Sequence, residues 1–119
     1  MDIDAVSYVF ESVPPSVNAC FRAGGKRVYK SKRYREYIEQ MEAYFDKQEH
    51  VPILEGELKL EVTLSFKSKR KRDIDNCMKA LLDCLEGRLF DDDSQIFELN
   101  IRKQIGCQAE QTAITLSCI

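Results

Sequence analysis

The chain has 119 residues, 44% of them hydrophobic and 32% charged, with a formal net charge of −2. This composition is typical of a globular protein and atypical of disordered, fibrous or repeat proteins, so we expect a single domain over residues 1–119. The chain begins with the acidic Met1-Asp2-Ile3-Asp4 and contains no apolar run near the roughly 20 residues that cross a bilayer. It is therefore predicted to be cytoplasmic, with no secretory signal and no membrane segment.

The cysteines argue against both a zinc site and a disulfide framework. They are five in number, contain no C-x-x-C pair, and lie far in sequence from the single histidine, His50. Cys77 and Cys84 are seven residues apart, a spacing that places them on the same face of a helix. We expect them to be reduced residues of the core.

The first half of the chain contains a strand and a helix. Residues 5–11 alternate between apolar and polar side chains, which predicts a strand that ends before Pro14-Pro15. The basic stretch around Gly24-Gly25 is interpreted as a mobile loop. From Lys32 to Gln48 the apolar residues recur at helical spacing, with Ser31 as a candidate N-cap, which predicts an amphipathic helix.

The second half begins with the clearest pattern in the sequence. Apolar and polar residues alternate strictly from Leu58 to Phe66, which predicts a half-buried strand. A second amphipathic helix is predicted from Ile74 to Leu85, ending near Gly87, and two strands follow at about 95–104 and 112–118. The resulting order, β-α-β-α-β-β, predicts an α+β domain with two helices packed on a small mixed sheet.

Positive charge is concentrated in two short segments, although the whole chain is slightly acidic. Residues 18–35 and 67–72 contain twelve of the 18 Lys and Arg residues and no acidic residue. Clusters of this kind are typical of surfaces that bind phosphate groups. An ordinary solvated surface is the alternative interpretation.

Acidic residues are grouped where the second helix begins and again after it ends. Asp73-Ile74-Asp75-Asn76 stands at its beginning and Asp91-Asp92-Asp93 follows it, while Asp75, Lys79, Asp83 and Glu86 form one polar stripe along it. If the two groups meet, their mutual repulsion requires a cation, and oxygen ligands without histidine or cysteine favour Mg²⁺, with Mn²⁺ as a substitute. The alternative is that Asp73 or Asp75 caps the helix and that residues 91–93 form a solvated loop.

The segments Arg72-Asp73-Ile74-Asp75-Asn76-Cys77-Met78-Lys79-Ala80 and Leu89-Phe90-Asp91-Asp92-Asp93-Ser94-Gln95-Ile96 resemble the signature of the RusA-type Holliday junction resolvases. Pro14-Pro15-Ser16-Val17-Asn18 is similar to the N-terminal motif of that family. The resemblance implies a homodimer that binds four-way junction DNA and cuts it by paired symmetric nicks, in recombination and repair, with Mg²⁺ or Mn²⁺. It also implies a bacterial or prophage origin.

The resemblance also implies roles for single residues. Asp73, Asp75 and Asp93 are expected to hold the metal and Lys79 to be catalytic, with Asn76 and Asp83 in support. Three consecutive aspartates leave the register of the third ligand open, so Asp92 is a rival to Asp93. The residues expected to contact DNA are Asn18, Arg22, Lys26, Arg27, Lys69, Arg70, Lys71 and Arg72. A non-catalytic nucleic-acid binding protein, another metal-dependent phosphodiesterase and a purely structural α+β domain are the alternatives.

Overall fold

The computed structural model describes residues 3–25 and 27–119. Its elements in chain order are β1 (Ala5–Phe10), α1 (Val17–Cys20), β2 (Phe21–Gly24), β3 (Arg27–Lys30), α2 (Lys32–Asp46), β4 (Leu58–Ser65), a 3-10 turn (Asp75–Cys77), α3 (Met78–Leu85), a second 3-10 turn (Asp93–Gln95), β5 (Ile96–Gln104) and β6 (Gln111–Cys118). The predicted α+β class and the order of its main elements are confirmed.

The main sheet has four strands in the order β1-β6-β4-β5. β4 runs parallel to β5 and antiparallel to β6, so the sheet is mixed, as the sequence predicted. The alternation in β4 has the expected cause: Leu58, Leu60, Val62 and Leu64 are all buried, whereas the residues between them are exposed or only partly buried.

The two main helices contribute their apolar faces to the same core. α2 buries Tyr34, Tyr37, Met41 and Phe45, and the Ser31 hydroxyl accepts a hydrogen bond from the Tyr34 N–H, which confirms Ser31 as the N-cap. α3 buries Met78, Ala80, Leu81 and Leu85. The second helix is shorter than predicted, because the chain from Asp75 to Cys77 forms a 3-10 turn before the α-helix begins at Met78.

One prediction is wrong: the basic stretch around Gly24-Gly25 is not a loop. It contains the short helix α1 and the antiparallel hairpin β2–β3, in which Arg22 pairs with Tyr29 and Gly24 with Arg27. Gly25 has a φ of 63°, a conformation that glycine adopts without strain, and it follows β2 directly at the turn. The prediction failed because every residue of β2 and β3 is exposed, so no alternating apolar pattern marks the strands.

The connection from β4 through α3 to β5 decides where the two acidic groups lie. Because β4 and β5 are parallel neighbours, Leu58 pairs with Ile96 at one end of the sheet and Ser65 pairs with Gln104 at the other. The chain leaves β4 at the second end, and α3 carries it back to the first end, where β5 begins. The segment before α3 and the loop before β5 are therefore at opposite ends of β5.

Among the helices in the described part of the chain, none combines the length and the apolar character that crossing a bilayer requires.

Candidate active site

The Asp73–Asn76 segment follows the basic cluster and forms an irregular turn before α3. The Asn76 backbone N–H donates to the Asp73 carbonyl at 3.3 Å, and the Asn76 side-chain amide donates to the Asp73 carboxylate, also at 3.3 Å. Neither the 3-10 turn at Asp75 nor α3 has a side-chain cap hydrogen bond. Helix capping therefore does not explain Asp73 or Asp75, whose exposed carboxylates are available to bind a cation.

Arg72 anchors this segment to the end of the sheet. Its guanidinium carbon lies 4.3 Å from the centroid of the buried Phe66 ring, an arrangement typical of a cation–π contact. Its carbonyl accepts a hydrogen bond from the Lys103 ammonium, near the last residue of β5. These contacts fix the position of Asp73 relative to the C-terminal ends of β4 and β5.

Lys79 lies four residues after Asp75, on the exposed side of α3. Its ammonium nitrogen is 3.6 Å from the Asp83 carboxylate, and the Tyr34 hydroxyl donates to the same carboxylate oxygen at 3.2 Å. Burial, followed by the nearby Asp83 charge, raises the pKa of Tyr34, so this hydroxyl remains a donor at neutral pH. Asp83 is thus held from α2 by Tyr34 and in turn holds Lys79.

The Asp91–Asp93 loop is held mainly by Gln95. The Gln95 side-chain carbonyl accepts from the backbone N–H groups of Asp91 and Asp92 at 3.0 and 3.1 Å. Its amide nitrogen donates to the carbonyls of Leu54 and Gly56 at 3.3 and 3.1 Å. One side chain therefore connects the acidic loop to the segment that precedes β4.

The two rival aspartates of this loop differ in what their carboxylates do. Asp92 caps the 3-10 turn, its carboxylate accepting from the Ser94 N–H at 2.8 Å, and this hydrogen bond lowers the pKa of Asp92. The Asp93 backbone N–H donates to the Glu86 carboxylate at 3.0 Å. Carboxylate oxygens of Glu86, Asp92 and Asp93 lie within 4.8 Å of one another, and all three residues are exposed.

The two acidic groups do not meet within one chain. The cluster of Glu86, Asp92 and Asp93 includes neither Asp73 nor Asp75. The two groups are associated with opposite ends of β5, whose nine residues span roughly 30 Å. A Mg²⁺ ion needs its ligand oxygens within ~2.1 Å, so the two groups of a single chain cannot share one ion.

The residues expected to contact DNA come from two segments of the chain. Asn18 is exposed on α1, and Arg22 and Arg27 are exposed on the hairpin, whereas Lys26 lies outside the described residues. Arg70, Lys71 and the partly buried Arg72 line a groove with Asp73, and Lys69 is exposed just before them.

Sequence reasoning did not assign functional roles to Glu86, Gln95 or Tyr34. The sequence did contain an indication for Glu86, because this residue belongs to the same polar stripe as Asp75, Lys79 and Asp83. Gln95 stands in the motif that carries the family resemblance, but its hydrogen bonds to residues 54 and 56 depend on a contact 39 to 41 positions away in sequence. Tyr34 gave no signal beyond its place on the apolar face of a helix.

Comparison with known proteins supports the resemblance. The family model for endodeoxyribonuclease RusA matches residues 12–117. A crossover junction endodeoxyribonuclease RusA from Aquifex aeolicus (strain VF5) is 27% identical over 106 residues, which cover 87% of this chain and 84% of that protein. A crossover junction endodeoxyribonuclease rusA from Enterobacteria phage HK97 is 28% identical over 85 residues, 71% of each chain.

Proposed function

The chain belongs to the endodeoxyribonuclease RusA family, and from that premise we propose that it is a metal-dependent endonuclease that resolves four-way DNA junctions by paired symmetric nicks. One observation carries the proposal: the carboxylates of Asp73 and Asp75 do not cap a helix, and they lie beside a groove lined by basic residues. These residues are Arg70, Lys71 and Arg72. Cation-binding carboxylates adjacent to phosphate-binding cations are the arrangement that phosphodiester hydrolysis requires. The relatives from a bacterium and a phage support a role in DNA recombination and repair in the bacterial cytoplasm. They also suit a protein that is encoded by the host chromosome or by a prophage.

The residues present fit a hard divalent ion. The available ligands are carboxylate oxygens, which suit Mg²⁺, with Mn²⁺ as a substitute. We assign Asp73, Asp75 and Asp93 as the residues that hold it. Asp93 is preferred to Asp92 because the Asp92 carboxylate already caps the 3-10 turn. When bound, such an ion supplies Lewis-acid activation of the scissile phosphodiester and of water.

The protein side chains position the DNA around this centre. Lys79, four residues after Asp75, contacts a nonbridging oxygen of the scissile phosphate, and its charge stabilises the negative charge that develops during hydrolysis. Asp83 fixes the Lys79 ammonium through the 3.6 Å ion pair, and Asn76 fixes the Asp73 carboxylate through its side-chain amide. The cations of the hairpin and of residues 69–72 bind backbone phosphates around the cut.

A homodimer can bring together the two acidic groups that lie apart in a single chain. Among the described residues β5 is an edge strand of the main sheet, so its outer backbone groups can pair with another strand. Phe97 and Leu99 leave 63% and 41% of their surfaces exposed on this strand. A two-fold axis that pairs β5 antiparallel with the partner's β5 places the start of one strand beside the end of the other.

This pairing has a direct consequence for the metal site. Asp93 precedes the start of β5. Asp73 and Asp75 lie towards its other end, because the Arg72 carbonyl just before them accepts a hydrogen bond from Lys103, near the last residue of β5. The antiparallel dimer therefore brings Asp73 and Asp75 towards Asp93 of the partner subunit, and it creates two equivalent sites. Two equivalent sites suit a four-way junction, which has two equivalent strands to cut.

A junction-cleavage assay tests the proposed function. With Mg²⁺, the protein is expected to introduce paired nicks into a labelled four-way junction, and without a divalent ion it is expected to bind and not cut. Asp75→Asn is expected to abolish cleavage and to leave junction binding within a few-fold of wild type, because the phosphate-binding cations remain. Asp91→Asn, in the acidic loop but outside the carboxylate cluster, is the matched control and should still cut.

The same assay distinguishes the alternatives. Binding without cleavage at any Mg²⁺ or Mn²⁺ concentration would establish a non-catalytic binding protein. Equal cleavage of linear duplex and junction DNA would indicate a different metal-dependent phosphodiesterase.

A further inference from the structure

A groove of about 470 Å³ lies between the start of α2 and the segment that leads to Asp73. Four cations line it: Arg33 from α2, and Arg70, Lys71 and Arg72 from the basic cluster. Asp73, at the proposed metal site, lines the same groove. Residues 37 or more positions apart in sequence thus form one cleft in which the four cations outnumber the two carboxylates, those of Asp73 and Glu110.

The Arg72 guanidinium is preorganised to bind an anion in this groove. Its guanidinium is already ordered by the contact with Phe66, which reduces the entropy lost on binding. Its Nε is buried and has no hydrogen-bond partner among the described residues. A buried donor without an acceptor is destabilising, and a bound oxyanion beside the guanidinium would offset that cost.

Arg33 is available on the opposite wall. Its neighbour Lys32 pairs with Glu36 at 3.8 Å, whereas within the described residues no carboxylate lies close enough to Arg33 for an ion pair. Arg33 and Arg72 line the same groove, and the buried Cys77 lines it with them. The two arginines therefore reach one groove from different elements, α2 and the segment that leads to Asp73.

We infer that this groove binds a backbone phosphate of the DNA next to the cleavage site, held between Arg33 and Arg72. Arg33 thereby becomes a DNA-binding residue that the sequence motifs do not include. The inference rests on the proposed function and deepens it, because it fixes the path of the strand from the groove to Asp73. Two guanidiniums suit a phosphodiester, since each can donate two parallel hydrogen bonds to its oxygens.

The test compares Arg33→Gln with Arg35→Gln. Arg35 is exposed on the same helix and does not line the groove, so its replacement removes the same charge from a different surface. Binding of a labelled four-way junction is measured in EDTA over a range of salt concentrations, which excludes cleavage. Arg33→Gln is expected to weaken binding roughly tenfold and to reduce the slope of log K against log[salt] by about 0.9, the value for one lost phosphate contact.

Two further variants sharpen the result. Arg33→Lys retains the charge and is expected to restore the salt slope with only part of the affinity, because lysine cannot form the two-point contact. Arg35→Gln is expected to bind as wild type. An Arg33→Gln protein with wild-type affinity and wild-type slope, or an equal loss in Arg35→Gln, would overturn the inference.

Failure of this inference is distinguishable from failure of the proposed function. If the wild-type protein cuts the junction and Arg33→Gln binds normally, the groove assignment is wrong and the nuclease assignment stands. If the wild-type protein never cuts and Arg33→Gln still loses one phosphate contact, the groove assignment stands and the nuclease assignment is wrong.

Discussion

Replacing Gln95 with alanine tests whether the acidic loop must be held in place for metal binding. The substitution removes four hydrogen bonds: two accepted from the N–H groups of Asp91 and Asp92, and two donated to the carbonyls of Leu54 and Gly56. Each such bond contributes a net ~0.5–1.5 kcal/mol, and water replaces part of this at a surface loop. We therefore expect the free energy of unfolding to fall by about 1–3 kcal/mol.

The functional effect is expected to be larger than the loss of stability. Groups that orient metal ligands typically change metal affinity by about 10- to 100-fold when they are removed. Cleavage by Gln95→Ala should therefore need at least about tenfold more Mg²⁺ for half-maximal rate, with the rate at saturating Mg²⁺ less affected. The assays are urea unfolding and junction cleavage over a Mg²⁺ titration, at a temperature where the variant is fully folded.

Gln104→Ala provides the matched control. Gln104 is the same residue type at the other end of β5, and its side chain accepts a single 3.3 Å hydrogen bond from the Ser65 hydroxyl. This variant should keep the wild-type Mg²⁺ requirement. A Gln95→Ala protein with an unchanged Mg²⁺ requirement would refute the idea that this side chain positions a metal ligand.

Two other outcomes are expected. Lys79→Ala should lower the rate of cleavage at saturating Mg²⁺ by at least about 100-fold, because it removes the charge beside the scissile phosphate; retention of the wild-type rate would exclude Lys79 from the reaction. Burial, followed by the nearby Asp83 charge, raises the pKa of Cys84 from 9.0 to about 11. The stabilisation of the folded state that is linked to the protonated thiol is therefore complete below pH 9, and it is lost as the pH rises through 11. The free energy of unfolding should therefore fall over this range, but by well under the ~1.4 kcal/mol per pH unit of a fully buried group, because solvent screens the partly exposed thiol. The fall should be less steep in Cys84→Ala, whereas Cys118→Ala at an exposed position should follow the wild type.

The sequence was sufficient for the parts of the fold that bury an apolar face. The alternation from Leu58 to Phe66 and the helical spacing from Lys32 onward predicted β4 and α2 to within two residues at each end. The β2–β3 hairpin was missed because its strands bury no side chain and therefore follow no pattern.

The site was only partly predictable for a different reason. Asp73, Asp75 and Lys79 are close in sequence, so their shared location follows from local geometry. The position of Asp93 depends on which strands are neighbours and in which direction they run, and nothing local encodes that β4 and β5 are parallel. The hydrogen bonds of Gln95 to Leu54 and Gly56, and that of Tyr34 to Asp83, likewise come from tertiary packing.

The most direct test of a metal site shared between subunits is a mixing experiment with two inactive variants, Asp75→Asn and Asp93→Asn. Neither homodimer has an intact site, but in a mixed dimer Asp75 of the Asp93→Asn chain meets Asp93 of the Asp75→Asn chain. Random exchange should restore nicking with about a quarter of the wild-type number of sites, and mostly as single nicks, because each mixed dimer has one intact site. Mixed dimers that are verified by two different tags and remain unable to nick the junction would contradict the shared site.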